Sequence, residues 1–285
     1  MGMNEHISPV PVQQRDIHFD VTGLTPSTWH PRGTHVSHWF NAMSIFFPEG
    51  EKMFIDSVRK HKHKITDPKL AEDVKGFIGQ EAMHGREHRV YNEWLAQHGY
   101  PVQRLESRVI KLIGITQKYL PRANQLAVTL ALEHLTAIMA DNLLGDPRVL
   151  ENTDPRIASL WRWHAIEETE HKAVAYDVYR AAYGSGFFSY LRRVFTFLFT
   201  SMDFWLQVMI THWALLKRDG KRSDLRGWWE LFKALWINPG SMRAVFLPWL
   251  SYFRPGFHPW QHDNRQFVER WKLAYAQTGS PPAVI

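Results

Sequence analysis

The sequence predicts an all-α protein built on a four-helix bundle, with additional helices towards the C-terminus. Apolar residues recur at helical spacing over most of the chain after residue 34. No run of alternating apolar and polar residues competes with that pattern. A third observation is that Glu and His recur twice in the same order, at separations that match helical hairpins. Together these features favour helices packed in pairs.

The elements follow from breakers and periodicity along the chain. Residues 1–34 are rich in Pro and Gly and predict an irregular N-terminal segment. Asp-Pro pairs mark later boundaries, because proline is tolerated in the first turn of a helix and restricts the residue before it. Helices are predicted near residues 35–63 (kinked or broken at Pro48), 69–98, 104–119, 122–144, 155–183, 187–217, 224–236, 240–251 and 264–277. We therefore expect three parts: the irregular segment 1–34, a helical bundle at 35–184, and a Trp-rich helical extension at 185–285 packed on the bundle.

Composition narrows the function classes. The chain has 285 residues, 45% of them hydrophobic, and no cysteine, which excludes disulfides, thiolate nucleophiles and iron–sulfur clusters. A cytoplasmic location is expected, since residues 1–20 hold no apolar stretch of signal-peptide length. The net charge is +6, but the basic residues form no stripe interleaved with aromatics, so nucleic acid is not expected as a partner. Sixteen histidines without cysteine favour a metal site of imidazoles and carboxylates.

Two Glu-x-x-His motifs lie within residues 35–184, and each is preceded by a Glu in an apolar helical context. Spacing of i, i+3 places Glu and His on one helix face, where one ion can bind both side chains. The first Glu lies 30 residues before one motif and the second 35 residues before the other, about one helical hairpin in each case. This is the ligand order of ferritin-like dinuclear carboxylate bundles. The predicted ligands are Glu51, Glu81, His84, Glu133, Glu168 and His171.

Two further histidines share faces with these motifs. His164 lies four residues before Glu168, and His88 lies four residues after His84. We include His164 among the ligands and treat His88 as a further candidate, the alternative for both being a hydrogen bond that orients a ligand. Four neighbouring residues point to other helix faces and are read as solvated charges or core histidines: Glu49, Glu167, Glu170 and His134.

The sequence resembles a bacterial family described as predicted metal-dependent hydrolases, similar to ferritin-like di-metal proteins. The matching stretches are FPEGEKMFIDSVR (47–59), FIGQEAMHGREH (77–88), ALEHLTA (131–137) and WHAIEETEHKAVAYDVY (163–179). The resemblance covers roughly residues 35–260. The spacing of His164, Glu168 and His171 is also similar to the last ligand helix of the di-iron arylamine N-oxygenases, in which the additional His is a metal ligand.

Ligand type favours two iron ions, with manganese or zinc as alternatives. A dry, apolar bundle interior suits O₂ chemistry, so we expect a di-iron oxygenase or oxidase acting on an apolar or aromatic small molecule. Its expected partners are O₂, an electron-donor protein and a second copy of the chain. The alternative is a dinuclear hydrolase in which two metals activate water. Metal storage is a third class, which a single, heavily extended bundle argues against.

The segment 194–216 is long and apolar enough to span a bilayer, with basic pairs at both ends. A polar stripe through it contains Asp203, which is costly at a bilayer centre. We therefore expect a helix packed on the bundle or on a partner subunit; peripheral contact with a membrane surface and a full span remain alternatives. The tryptophans beyond residue 220 are expected in core or interface positions.

Overall fold

The computed structural model describes residues 9–284 and shows an all-α protein, as predicted. The first eight residues of the predicted irregular segment and the last residue of the predicted extension lie outside the described residues. No β-strand occurs within 9–284. The helices are α1 (Thr34–Ser44), α2 (Phe47–Arg59), α3 (Pro68–Gln97), α4 (Val102–Tyr119), α5 (Arg122–Gly145), α6 (Pro155–His171), α7 (Val174–Tyr183), α8 (Phe187–Arg218), α9 (Leu225–Phe232), α10 (Ser241–Ser251) and α11 (Arg265–Thr278), with a π-helical turn (Lys233–Ile237) after α9.

Four of these helices form the centre of the molecule. Helices α2 and α3 make one extensive hairpin contact, α5 and α6 make another, and α2 also packs against α5 while α3 packs against α6. Helix α4 lies in the connection between the two hairpins. This arrangement is consistent with a ferritin-like bundle, since the two hairpins face each other.

Two of the predicted helices differ from the structure at their breaks. The predicted break near Pro48 is present but begins earlier: α1 ends at Ser44, α2 begins at Phe47, and Pro48 lies in the first turn of α2, where its missing N–H costs nothing. The single helix predicted for 155–183 is wrong, because it divides into α6 and α7 after His171. At this break the Lys172 ammonium donates to Asn264 Oδ1 and the His262 carbonyl, each at 2.7 Å. The break after His171 contains neither the glycine nor the proline that would mark it in a sequence.

The predicted Asp-Pro boundaries are helix starts for chemical reasons visible in the structure. The side chain of Asp67 accepts a hydrogen bond from the Lys69 N–H at 2.7 Å, and Asp154 accepts one from the Arg156 N–H at 3.0 Å. Each aspartate thus accepts a hydrogen bond from an N–H that has no partner within the helix. The following proline lies at a position where a backbone N–H would have no partner in the helix, so its lack of one costs nothing.

An outer layer covers part of this bundle. Helix α8 packs on α1 and α5, while α9 packs on α1, α10 on α5, and α11 on α6. Trp29 in the irregular N-terminal segment and Trp271 in α11 are both buried in one core cluster with the bundle residues. The three-part division of the chain stays a prediction, since shared packing does not show which part folds alone.

Two helices of the described part are long and apolar enough to cross a membrane by length and composition: α5 and α8. In α5, 72% of the apolar window is buried, which is the pattern of a core helix. In α8 only 33% of the window is buried. Helix α8 therefore presents much of its apolar surface outside the protein core.

Candidate metal centre

The seven predicted ligands converge at the centre of the two hairpins. Helix α2 supplies one, α3 two, α5 one and α6 three, and none of their side chains lies at the surface. In each residue at most 4% of the surface is exposed: Glu51, Glu81, His84, Glu133, His164, Glu168 and His171. A cluster of four carboxyl groups without a lysine or arginine among them is costly to bury unless protons or cations compensate the charge.

Six of the seven fall into two groups of three, each suited to one metal ion. One ligand atom from each of Glu51, His84 and His164 lies within 4.8 Å of the other two. A second group with the same property consists of Glu81, Glu168 and His171. The Glu-x-x-His motif of α3 is therefore divided, because Glu81 and His84 belong to different groups. The motif of α6 is not, since Glu168 and His171 belong to the same group.

Glu168 joins the two groups. Its Oε1 atom lies 3.2 Å from His164 Nε2 and 3.7 Å from His84 Nδ1, both in the first group. Its Oε2 atom lies 3.5 Å from His171 Nε2 in its own group. Glu133 Oε2 lies at the same distance, 3.5 Å, from His171 Nε2, which places Glu133 beside the second group. A carboxylate with its two oxygens directed at different groups is in position to bridge two metal ions.

Many of the buried polar atoms of this centre lack hydrogen bonds. Both carboxyl oxygens of Glu51, Glu81 and Glu133 have no hydrogen-bond partner, and neither do His164 Nε2 and His171 Nε2. The closest contact among them joins Glu81 Oε1 and His171 Nε2 at 3.1 Å. Leaving a buried polar group unsatisfied costs about 1–3 kcal/mol for each group. These are the atoms that face the centre of each group, so the residues fit divalent cations, which would satisfy all of them together.

Electrostatics agree with that fit. Burial, followed by repulsion from neighbouring carboxyl groups, raises the pKa values of Glu51 and Glu81 well above their ordinary range, and the same causes act on Glu133. Burial opposes protonation of His171, but Glu168 and Glu133 outweigh it and raise the pKa of His171 to about 9. Without metal, therefore, several of these groups hold protons that divalent cations would replace.

A second layer of polar residues holds the histidines in place. Gln80 Oε1, which can only accept, lies 2.9 Å from His171 Nδ1, so the proton is on Nδ1 and Nε2 faces the site. Glu167 Oε2 lies 3.1 Å from His84 Nε2, a close contact without hydrogen-bond geometry, and His84 Nδ1 faces Glu168. Such partners fix the ring orientation and the tautomer of a metal-binding histidine.

Arg15, from the irregular N-terminal segment, links the carboxyl groups of this second layer. Its guanidinium contacts Glu167 Oε1 at 2.9 Å and Glu170 Oε1 at 2.7 Å, and Gln80 Nε2 donates to Glu170 Oε2 at 2.6 Å. Glu167 and Glu170 are fully buried, so the expectation of solvated charges is wrong for them. As expected, Glu167 and Glu170 do not lie on the ligand face of α6, but the face on which they lie is covered by Arg15 and Trp163.

His88 lies behind His164 and outside both groups. Its Nε2 is 3.0 Å from His164 Nδ1 and its Nδ1 is 2.9 Å from Ser44 Oγ, so both ring nitrogens have partners. His134, expected as a core histidine, lies 3.3 Å from the Pro248 carbonyl. As a ligand His88 would have to give up one of its two hydrogen bonds. Its present contacts are those of a residue that orients His164.

An apolar cavity leads from the outer helices to this centre. Its volume is about 90 Å³, and His164, Glu168 and Thr136 lie at its buried end. Its walls are mostly aromatic and aliphatic, including Phe40 and Trp161. At the outer end lie half-buried residues of α8, the π-helical turn and α10: Trp205, Leu235 and Met242.

A second apolar cavity approaches from another direction. Its volume is about 280 Å³; it lies between α2, α4, α5 and α8 and reaches Glu51. Phe47 and Thr136 line both cavities. The Phe47 ring centroid lies 4.6 Å from those of both His88 and His164, so this side chain separates the two approaches next to the metal-ligand groups.

Fold and site together define an all-α protein with a buried centre of carboxylates and imidazoles suited to divalent metal. The chain belongs to the family described as predicted metal-dependent hydrolase, whose model matches residues 13–263. No curated protein and no solved structure matches the chain. The similarity to di-iron arylamine N-oxygenases therefore has no support beyond its three-residue spacing.

The family assignment corrects the functional expectation. The prediction of a di-iron oxygenase or oxidase is wrong, because the family is named for metal-dependent hydrolysis. The error has a chemical reason: the same carboxylates and imidazoles serve both reaction classes, and a dry interior alone does not choose between them. O₂ and an electron donor were expected only for the oxidative reaction.

Proposed function

We propose that the protein is a dinuclear metal-dependent hydrolase acting on an apolar small molecule. One observation carries the proposal: two groups of buried, unpaired ligand atoms are joined by Glu168 at the closed end of an apolar cavity. The proposed ligands are Glu51, His84 and His164 for one ion and Glu81, Glu168 and His171 for the other, with Glu133 beside the second group.

The family and the ligand set indicate divalent metal ions, and which metal is bound is part of the proposal. Oxygen and nitrogen ligands without sulfur suit manganese, iron and zinc. When bound, two such ions polarise the scissile group and lower the pKa of a water molecule between them. The protein contribution is to hold the ligands and to control what reaches them.

Thr136 and the second-layer residues supply the positioning. The Thr136 hydroxyl donates to Glu168 Oε2 and so holds the carboxylate that faces both groups. Gln80 fixes the ring of His171, and Glu167 lies in close contact with that of His84. Because these contacts are buried, little reorganisation of the ligands is needed when a substrate enters.

The lining of the cavity supports an apolar class of substrate. Its walls offer few polar partners apart from the residues at the metal end, so an apolar chain or ring binds there by removing its surface from water. The hydrolysable bond of such a molecule then lies at His164 and Glu168. We therefore expect esters or amides with an apolar acyl or aromatic part to be better substrates than small polar ones.

Metal binding and hydrolysis test the proposal together. Metal-free protein is titrated with Mn²⁺, Fe²⁺ or Zn²⁺ and assayed with nitrophenyl esters and anilides of increasing chain length. We expect two ions per chain and a turnover that rises with acyl length. Glu81→Ala and Glu168→Ala should lose metal and activity, while Glu49→Ala, a nearby change outside both groups, should keep both. Parent-like metal content in the first two variants, or a loaded protein that cleaves none of these bonds, would overturn it.

A further inference from the structure

Helix α8 carries an apolar stripe that faces away from the protein. Its six residues follow a spacing of four and three in alternation, and between 39% and 66% of each is exposed: Phe195, Phe199, Met202, Leu206, Met209 and Trp213. The opposite face of α8 packs on α1 and α5, where Ser201, Gln207 and Thr211 are buried together with apolar residues such as Phe197 and Val208. The helix therefore carries apolar residues on its outward face as well as on its packed face, unlike an ordinary surface helix, whose outward face is polar.

The two neighbouring elements of the outer layer show the same feature. Exposed apolar residues at helical spacing run along α9 and the π-helical turn: Leu225, Trp229, Phe232 and Trp236. In α10 the exposed ones are Phe246, Leu247 and Leu250. Contacts connect these elements to α8, because Trp228 packs against Trp213, and Trp249 donates to Ser201 Oγ at 3.1 Å. We call α8, α9, the π-helical turn and α10 the outer layer.

The excess charge of the protein is concentrated in this layer. Residues 187–254 contain ten Lys and Arg but only four Asp and Glu, an excess of six, which equals the net charge of +6 for the whole chain. Arg192 and Lys217 lie at the two ends of the α8 stripe in helical register, about 37 Å apart along the axis. Arg243 precedes the α10 stripe and Arg254 follows it.

We propose that the outer layer binds the surface of an anionic lipid bilayer. An apolar stripe with basic residues at its ends matches an interfacial helix, whose side chains enter the acyl boundary while the cations remain at the depth of the phosphates. Tryptophan and other aromatic residues are favoured at that depth. Three adjacent elements with such stripes give a broad surface, which suits a bilayer better than a single partner helix.

A second copy of the chain fits this layer less well. If two α8 helices paired along their stripes in antiparallel orientation, Arg192 would meet Lys217 of the other copy; in parallel orientation each cation would meet its own equivalent. Like charges oppose both pairings. One helix pair would also leave the stripes of α9 and α10 in water.

The position of the cavity mouth connects membrane binding with substrate entry, an inference that rests on the proposed function. Three residues at the outer end of the cavity that reaches Glu168 belong to three of the four elements of the outer layer: Trp205 to α8, Leu235 to the π-helical turn and Met242 to α10. An apolar substrate dissolved in the bilayer could then pass into the cavity without crossing water. The substrate class expected is a lipid-soluble ester or amide.

Vesicle sedimentation tests the binding without reference to metal or hydrolysis. Purified protein is mixed with vesicles of phosphatidylcholine alone and of phosphatidylcholine with phosphatidylglycerol, at increasing salt. We expect strong sedimentation only with the anionic vesicles, reduced by salt because the cations are screened. The double variant Phe195→Ser and Leu206→Ser should lower partitioning by about tenfold or more, since both side chains would enter the acyl boundary.

The matched control is Val90→Ser with Leu273→Ser, which removes two exposed apolar side chains on α3 and α11 and should leave sedimentation unchanged. Light scattering measures the mass of each protein in solution. Three results would overturn the proposal. The first two are equal sedimentation with both vesicle types and an equal loss of sedimentation in both double variants. The third is a dimer that the outer-layer variant dissociates and the control does not, in a protein that binds no vesicles.

Metal content and hydrolysis of a short, water-soluble ester separate this proposal from the proposed function. The outer-layer variant should keep both, because Phe195 and Leu206 line neither cavity. Glu81→Ala should lose both and still bind vesicles. Vesicle binding without hydrolysis in the parent would leave the membrane proposal standing and refute the hydrolase, while the opposite result would do the reverse.

Discussion

Arg15→Met is expected to weaken both the fold and the metal centre, because the Arg15 guanidinium contacts the buried carboxyl groups of both Glu167 and Glu170. Only 9% of the Arg15 side chain is exposed, and neither carboxyl side chain is exposed at all. Methionine keeps much of the volume and the contact with Trp271, over which the guanidinium lies at 5.1 Å. The change therefore removes charge and hydrogen bonds more than packing.

The size of the effect follows from what remains in place. Removing one partner of a buried ion pair typically costs about 3–5 kcal/mol. Lys272 Nζ still lies 3.0 Å from Glu170 Oε1, and Trp163 still donates to Glu167 Oε1 at 2.9 Å. We therefore expect the lower end of that range, about 3 kcal/mol. Since Glu167 and Gln80 orient His84 and His171, metal affinity should fall by about 10–100-fold.

Urea unfolding of the metal-free protein measures the first effect, and a metal titration against a competing chelator measures the second. Arg148→Met, which breaks the exposed pair with Asp146, is the control and should leave both quantities unchanged. The reasoning is refuted if Arg15→Met unfolds at the same urea concentration as the control and binds metal equally well. That result would mean that neither the fold nor the metal centre depends on the contacts of Arg15 with Glu167 and Glu170.

Two further predictions concern parts of the fold away from the ligands. Gly76→Ala should destabilise the protein and loosen the N-terminal segment, since an added Cβ would lie 2.1 Å from the Val12 carbonyl oxygen. We expect proteolysis ahead of α1 to be faster than in the parent, and an unchanged rate would contradict this. The second prediction is that stability falls as the pH drops from about 6.5 towards 4, because burial lowers the pKa of His30 to about 4 and the unfolded chain then binds a proton that the folded chain does not. His30→Gln keeps an N–H for the Val149 carbonyl and cannot titrate, so its urea midpoint should depend less on pH in this window; an unaltered pH profile would exclude His30 as the cause.

The helical class and the candidate ligands could be predicted from the sequence because both depend on local spacing. An i, i+3 pair such as Glu168 and His171 shares a helix face whatever the helix packs against. The residues that compensate and orient those ligands could not be predicted in this way. Gln80 directly precedes Glu81, and Glu167 and Glu170 flank Glu168 on other faces of α6, yet all three side chains are buried. Whether Glu167 and Glu170 contact water or Arg15 depends on which segment of the chain covers them.

The sequence by itself determined that this protein is all-α and which acidic residues and histidines could bind metal together. Only the tertiary structure decided how those residues divide into two groups, that Glu168 faces both, and that His88 has two hydrogen-bond partners. It also decided that the apolar stripe of α8 points outwards, which its composition left open. The physical reason is that spacing fixes the position of a side chain around its own helix, whereas burial, partner and charge are fixed by elements distant in sequence that pack against it.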